Sequence, residues 1–119
     1  MKVVIAGGRD VGFDDAWAGI VLSFRDTKWV PVEVVSGGAS GVDSVAKQYA
    51  DYEGIPFKLF AADWDGLGRK AGPIRNQQMA EYGDCLIAVW DGKSRGTYNM
   101  ISQMRLLNKP VHIHILEPK

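Results

Sequence analysis

Apolar residues along the chain gather in short runs, and helical periodicity fills the stretches between them. Lys2 to Ala6 is a β-branched run closed by Gly7-Gly8, which predicts a buried strand and a turn. Phe13, Trp17, Ile20, Val21 and Phe24 recur at helical spacing and predict an amphipathic helix ending before Pro31. Val32 to Val35 predicts a second strand. Val42, Val45, Ala46, Tyr49 and Ala50 mark a helix that stops near Gly54, with Pro56 beyond its C-cap. Phe57 to Ala61, Cys85 to Trp90 and Val111 to Ile115 predict the remaining strands. A third helix is predicted from Ile74 to about Tyr82, with Pro73 in its first turn, and a fourth from Thr97 to Leu107. Residues 62–73 break the rhythm and are predicted as a long polar loop carrying Trp64, and such loops usually serve function.

Strands that alternate with helices and are apolar throughout imply a parallel sheet covered on both faces. The predicted fold class is α/β: one Rossmann-like three-layer domain over residues 1–119, with a parallel five-stranded sheet in the order 3-2-1-4-5. In that order the winding reverses beside the first strand. Ligands bind outside the carboxyl ends of the strands that flank such a reversal.

Two glycine-bearing turns fall at carboxyl ends of predicted strands. A strand that turns through glycines into a helix start places free backbone N–H groups and partial positive charge in one concavity, which suits an anion. In the first turn, Ser36 to Asp43, the Ser40-x-x-Asp43 spacing is that of a capping box, so a purely structural role competes with anion binding. The second, Asp91 to Thr97, is the better anion site. Three residues after Thr97 stands Met100, so no carboxylate neutralises the helix start, and Lys93 and Arg95 add positive charge.

The candidate ligand-binding residues are Gly7, Gly8, Arg9 and Asp10 after the first strand, and Ser36, Gly37, Gly38, Ser40 and Gly41 in the first turn. Asp63, Trp64, Arg75 and Asn76 follow, and then Asp91, Lys93, Ser94, Arg95, Gly96 and Thr97. Arg75 can contact a phosphate or carboxylate in bidentate fashion, or pair with a surface acid. Trp64 can stack on a base, whereas Trp90 reads as core. Asp63 and Asp65 can meet ribose hydroxyls or magnesium, or serve as caps and turn formers. His112 and His114 alternate on the last strand, but no third ligand stands at a matching spacing, so a half-exposed edge strand is expected and no metal site. No cofactor is expected. Neither a G-x-S-x-G elbow nor a phosphate-binding GxxxxGK[ST] loop occurs, and Lys58 has the wrong sign for the acidic reader of a dinucleotide fingerprint.

Composition narrows the partners. Apolar residues make up 46% and charged residues 24%, with fourteen acidic against fourteen basic side chains. That balance argues against a general nucleic-acid partner. The lone Cys85 in an apolar run favours a reducing, cytoplasmic setting, and no signal peptide or membrane-spanning stretch is evident. Met100, Ile101, Met104, Leu106 and Leu107 make the last helix apolar nearly all round, which predicts a helix either wholly buried or shared with a second subunit, and a homodimer is expected.

Taken in order, Gly7-Gly8-Arg9-Asp10, the first turn, Ala62-Asp63-Trp64, Gly72-Pro73-x-Arg75-Asn76 and Trp90 to Thr97 resemble the SLOG superfamily over nearly the whole chain. More narrowly they resemble its small bacterial and phage branch, the YspA/cpYpsA-related group. The resemblance implies a Rossmann-like fold and a nucleotide or nucleotide-derived ligand. Two related families carry other activities. In the Lonely Guy phosphoribohydrolases, a helical arginine like Arg75 and a Gly-Thr pair like Gly96-Thr97 accompany a catalytic glutamate. Met100 holds that glutamate's position here, and a thioether cannot act as a general acid. The DNA-processing protein A family has a similar first turn and a similar Arg-Asn pair and binds single-stranded DNA. Non-catalytic nucleotide binding is the expectation, with a phosphoribohydrolase using Asp91 or Asp10 as the alternative and a single-stranded DNA-binding module as the second.

Overall fold

The computed structural model describes residues 1–118. Strands β1 (Lys2–Gly7), β2 (Glu33–Ser36), β3 (Phe57–Leu59), β4 (Cys85–Trp90) and β5 (Val111–Ile115) form one sheet. All neighbours run parallel, in the order β3-β2-β1-β4-β5, as the alternation of elements predicts. The reversal lies between β1 and β4, whose tops meet at the pairing of Gly7 with Val89.

Each central strand is apolar on both sides because both sides are covered. Val3, Ile5, Val34, Ile87 and Val89 pack against α1 (Phe13–Thr27) and α2 (Val42–Glu53). Val4, Ala6, Val35, Leu86 and Ala88 pack against the far helices through Met79, Ala80, Met100, Ile101 and Met104. Cys85 is fully buried among the first group, and burial pushes its thiol up to about 12, so it is an unreactive core residue.

Residues 62–73 are not the long loop that their composition predicts. Asp63 accepts a hydrogen bond from the Gly66 amide at 3.0 Å and starts a one-turn helix, α3 (Trp64–Leu67). A 3₁₀ turn, Gly68–Lys70, leads into α4 (Ala71–Tyr82). Helix α4 therefore begins three residues before Ile74. Pro73 is tolerated because the first-turn amide it lacks has no intrahelical partner. At the other end of α4, the Lys109 ammonium donates to the carbonyls of Ala80, Glu81 and Gly83 at 2.8, 3.0 and 2.8 Å. These bonds satisfy acceptors that the helix leaves open.

The last helix, α5 (Arg95–Leu106), divides its apolar residues in two. Met100, Ile101 and Met104 are buried within the chain, whereas Leu106 and Leu107 are 76% and 45% exposed. His112 and His114 are half-buried on the edge strand β5. Among the described residues no group of three or more His, Cys, Asp or Glu side chains is placed to hold a metal ion, and no helix is long and apolar enough to cross a membrane.

Candidate functional site

The turns after β1 and β2 are packed backbone on backbone. A Cβ on Gly41, whose φ is +69°, would lie 2.2 Å from the Gly8 carbonyl oxygen, and the Val42 amide donates to that same oxygen at 3.2 Å. A Cβ on Gly7 would lie 2.4 Å from both Val42 and the Val89 carbonyl oxygen. This approach draws the Ser40 hydroxyl outward, where it donates to the Arg9 carbonyl at 3.3 Å. The predicted capping box is therefore absent. Gly41 is the N-cap of α2, and Asp43 reaches back to accept from the Ala39 amide at 3.1 Å.

Asp43 is 7% exposed. Desolvation raises its pKa above the ordinary 3.8, while the Ala39 N–H bond and the charges of Arg75 and Arg9 pull it back. The buried Ser36 hydroxyl stands near this carboxyl without a hydrogen bond of good geometry.

Arg75 and Asn76 tie the two glycine turns together. Arg75 Nη1 donates to the Gly37 carbonyl at 2.6 Å, and its Nε donates to Asn76 Oδ1 at 3.0 Å. Asn76 Nδ2 donates onward to Asn99 Oδ1 at 3.0 Å and to the Gly96 carbonyl at 3.3 Å. One hydrogen-bonded chain thus runs from the β2–α2 turn, through α4, to the first turn of α5. Burial lowers the pKa of Arg75 and the Asp43 charge opposes this, but the planar guanidinium stays charged.

The turn between β4 and α5 is built by Asp91 and Trp90. Asp91 Oδ1 accepts from the amides of Lys93 and Ser94, both at 2.8 Å, and these bonds hold its pKa below the ordinary value. Trp90 Nε1 donates to the Ser94 carbonyl at 3.1 Å, and Thr97 Oγ1 donates to Ser94 Oγ at 3.2 Å. Ser94 is the N-cap of α5 but makes no side-chain capping bond. The amides of Arg95, Gly96 and Thr97 meet no acceptor among the described residues. Gly96 has no positive φ, and a Cβ there would meet nothing within 4 Å, so the fold gives no reason for glycine at this position.

These turns surround a cleft of about 900 Å³ at the β1–β4 reversal. Of the sequence-predicted residues it gathers Gly7, Gly8, Arg9, Asp10, Trp64, Arg75, Asn76, Asp91 and the run Lys93 to Thr97. Gly37, Gly38 and Ser40 line an adjoining pocket of about 590 Å³ instead. Ser36 and Gly41 lie beneath the turns and Asp63 serves as the α3 cap, so these three line neither. Sequence reasoning did not bring Asp15, Asn99 or Glu117 to the cleft, and it left Asp43 out of the candidate binding residues as a cap of the first turn. Asp43 carried the capping-box spacing, which drew attention from it. The others carry no local signal, since only the fold brings the first turn of α1 and the chain after β5 to the same mouth.

The model of the YspA, cpYpsA-related SLOG family matches residues 1–66. The chain belongs to this family. Over 84 residues this SLOG domain is 37% identical to the Gene 61 protein of Mycobacterium phage D29, an alignment covering 66% of this chain and 67% of that protein. No solved structure matches. SLOG membership is compatible with a nucleotide-related ligand. The family match ends before Arg75, Asn76 and the α5 turn, so their roles in the SLOG domain rest on geometry.

Proposed function

We propose that the protein binds a nucleotide or nucleotide-derived ligand in the β1–β4 cleft, with a phosphate on the first turn of α5, and does so without catalysis. The observation that carries this reading is the open start of α5. Three backbone amides point out with no acceptor, Gly96 leaves the approach clear, and Lys93 and Arg95 flank it. Unpaired amides and the positive end of a helix together favour an anion. Arg9 and Trp64 line the same cleft and offer a cation and a ring to the sugar and base.

Helix α5 carries no carboxylate to stand in for the glutamate of the related phosphoribohydrolases. Met100 is fully buried at the position that resembles the phosphoribohydrolase glutamate. The two substitutes that the sequence offers, Asp10 and Asp91, both line the cleft, and Asp91 is held ionised by two backbone amides, which makes it a poor proton donor.

The test is a thermal-shift panel of nucleoside monophosphates, dinucleotides and cyclic nucleotides. A ligand at ten times its dissociation constant should stabilise the protein by about 1.4 kcal/mol, or about 5 °C in a chain of this size. Absence of a shift with every member overturns the reading. A homodimer is part of the same proposal, since Leu106 and Leu107 leave an apolar end of α5 for a second copy to cover. Light scattering that returns a monomer mass at tens of micromolar removes that part alone.

A further inference from the structure

The adjoining pocket differs in character from the cleft. It lies over the carboxyl ends of β2 and β3, and Arg9, Ala39, Trp64 and Arg75 line both hollows, so the two share one wall. Beyond that wall the pocket is walled by Gly37, Gly38, Leu59, Ala61 and Ala62, with Ser40 at its side and no carboxylate. Leu59 and Trp64 are 53% and 49% exposed, so apolar surface faces open space there. The main cleft, by contrast, carries Asp10, Asp15, Asp43, Asp91 and Glu117 among its cations.

The shared wall carries two cations, Arg9 and Arg75, with the nearly buried Asp43 carboxyl behind them on the Ala39 amide. The Arg9 guanidinium sits 5.9 Å from the centre of the Trp64 ring and makes no hydrogen bond or ion pair among the described residues. Arg75 is anchored on Gly37 and keeps its charge beside it. An anionic linker meets its counter-charge at this wall, and a flat uncharged group finds apolar surface just beyond it.

We propose that the site takes a two-armed ligand of the dinucleotide class. One phosphate sits on α5, the phosphate linker crosses the wall at Arg9, and the second flat heterocycle enters the pocket over β2 and β3. This rests on the reading of α5 as the phosphate site, and the experiment separates the two.

Isothermal titration of the full chain would compare AMP and GMP with diadenosine and diguanosine pyrophosphate. The expected result is a dinucleotide that binds about tenfold tighter than its mononucleotide, which corresponds to about 1.4 kcal/mol. Ala61 is exposed and lines the second pocket alone. Ala61→Glu should abolish the dinucleotide preference and leave mononucleotide affinity within about twofold, with an unchanged melting profile as the check on folding. Leu59→Ala, which removes apolar wall without adding charge, should reduce the preference severalfold. Equal affinity of mono- and dinucleotide for the wild type overturns this proposal and leaves the α5 reading standing. A preference that survives both substitutions also overturns it. If none of the four compounds binds, this proposal falls, and the wider thermal-shift panel decides the α5 reading.

Discussion

Asp43 is the residue whose environment departs furthest from what its neighbours in sequence suggest. The spacing from Ser40 reads as a capping box, yet the close contact of Gly41 with the Gly8 carbonyl places the carboxyl under the Ala39 amide, nearly sealed from water. Because its folded pKa lies above the ordinary 3.8, the folded chain holds the proton more tightly than the unfolded chain. The stability this group contributes is fully present below 3.8 and is lost as pH rises through the raised folded value. Asp43→Asn keeps an acceptor for Ala39 and removes the charge. The variant should be more stable than wild type at pH 7 and lose that advantage as pH falls toward 3, as read by urea melts across this range. On the proposed reading it should also bind AMP more tightly, since one carboxylate fewer lines the cleft. A variant less stable than wild type at pH 7 would show that the Arg75 charge outweighs desolvation here.

The glycines carry a related lesson at the same scale. Sequence alone names Gly7, Gly37, Gly41 and Gly96 together as candidate ligand-binding positions, with a structural turn as the competing reading for Gly37 and Gly41. Added Cβ atoms at the first three would strike Val42 and Val89, Arg75, and the Gly8 and Arg9 backbone, so the fold itself explains them. These contacts join residues far apart along the chain, which no local pattern reports. Gly96 alone of the four stays unexplained by packing.

Among the elements, the strands and the four long helices were legible because burial on one face imposes a period that a short window detects. The segment before α4 was not. Helix α3 has four residues, too few to show a period, and Ala71 and Gly72 read as the end of the loop although they open α4. Helix α5 was legible in extent, and its open start was read from the absence of an acid near Thr97. That openness gives the most direct test of function at this scale. Gly96→Asp puts a carboxylate against unpaired amides in open space, so the unliganded protein should gain about 0.3–1 kcal/mol, a rise of about 1–4 °C in Tm. The same carboxylate occupies the phosphate's place and should abolish every nucleotide-induced shift. Stability gained and binding lost together distinguish a ligand site from a structural turn, where only the first effect appears.

At the scale of the whole molecule, the strand order brings the β1, β2 and β4 turns to one mouth, and this convergence followed from the alternation of strands and helices. The balance of charge at that mouth supports the proposed small ligand over a polymer. Arg9, Arg75, Lys93 and Arg95 line the cleft, but so do Asp10, Asp15, Asp43, Asp91 and Glu117. Single-stranded DNA needs a continuous cationic track with stacking rings along it, and this cleft alternates in sign over a short span. On the proposed reading AMP is held mainly by fixed amides and two cations, so raising salt from 50 to 200 mM should weaken binding by less than about tenfold. A protein making 6–10 phosphate contacts with DNA would lose about 10³–10⁵ over the same interval. Gel shifts with an oligothymidine at several salt concentrations should show no complex at micromolar protein. Tight binding at low salt with a steep loss on adding salt would mean that the acidic side chains are screened or turned away when a strand enters. The likeness of the Arg75–Asn76 pair to the DNA-processing family would then outweigh the local charge balance.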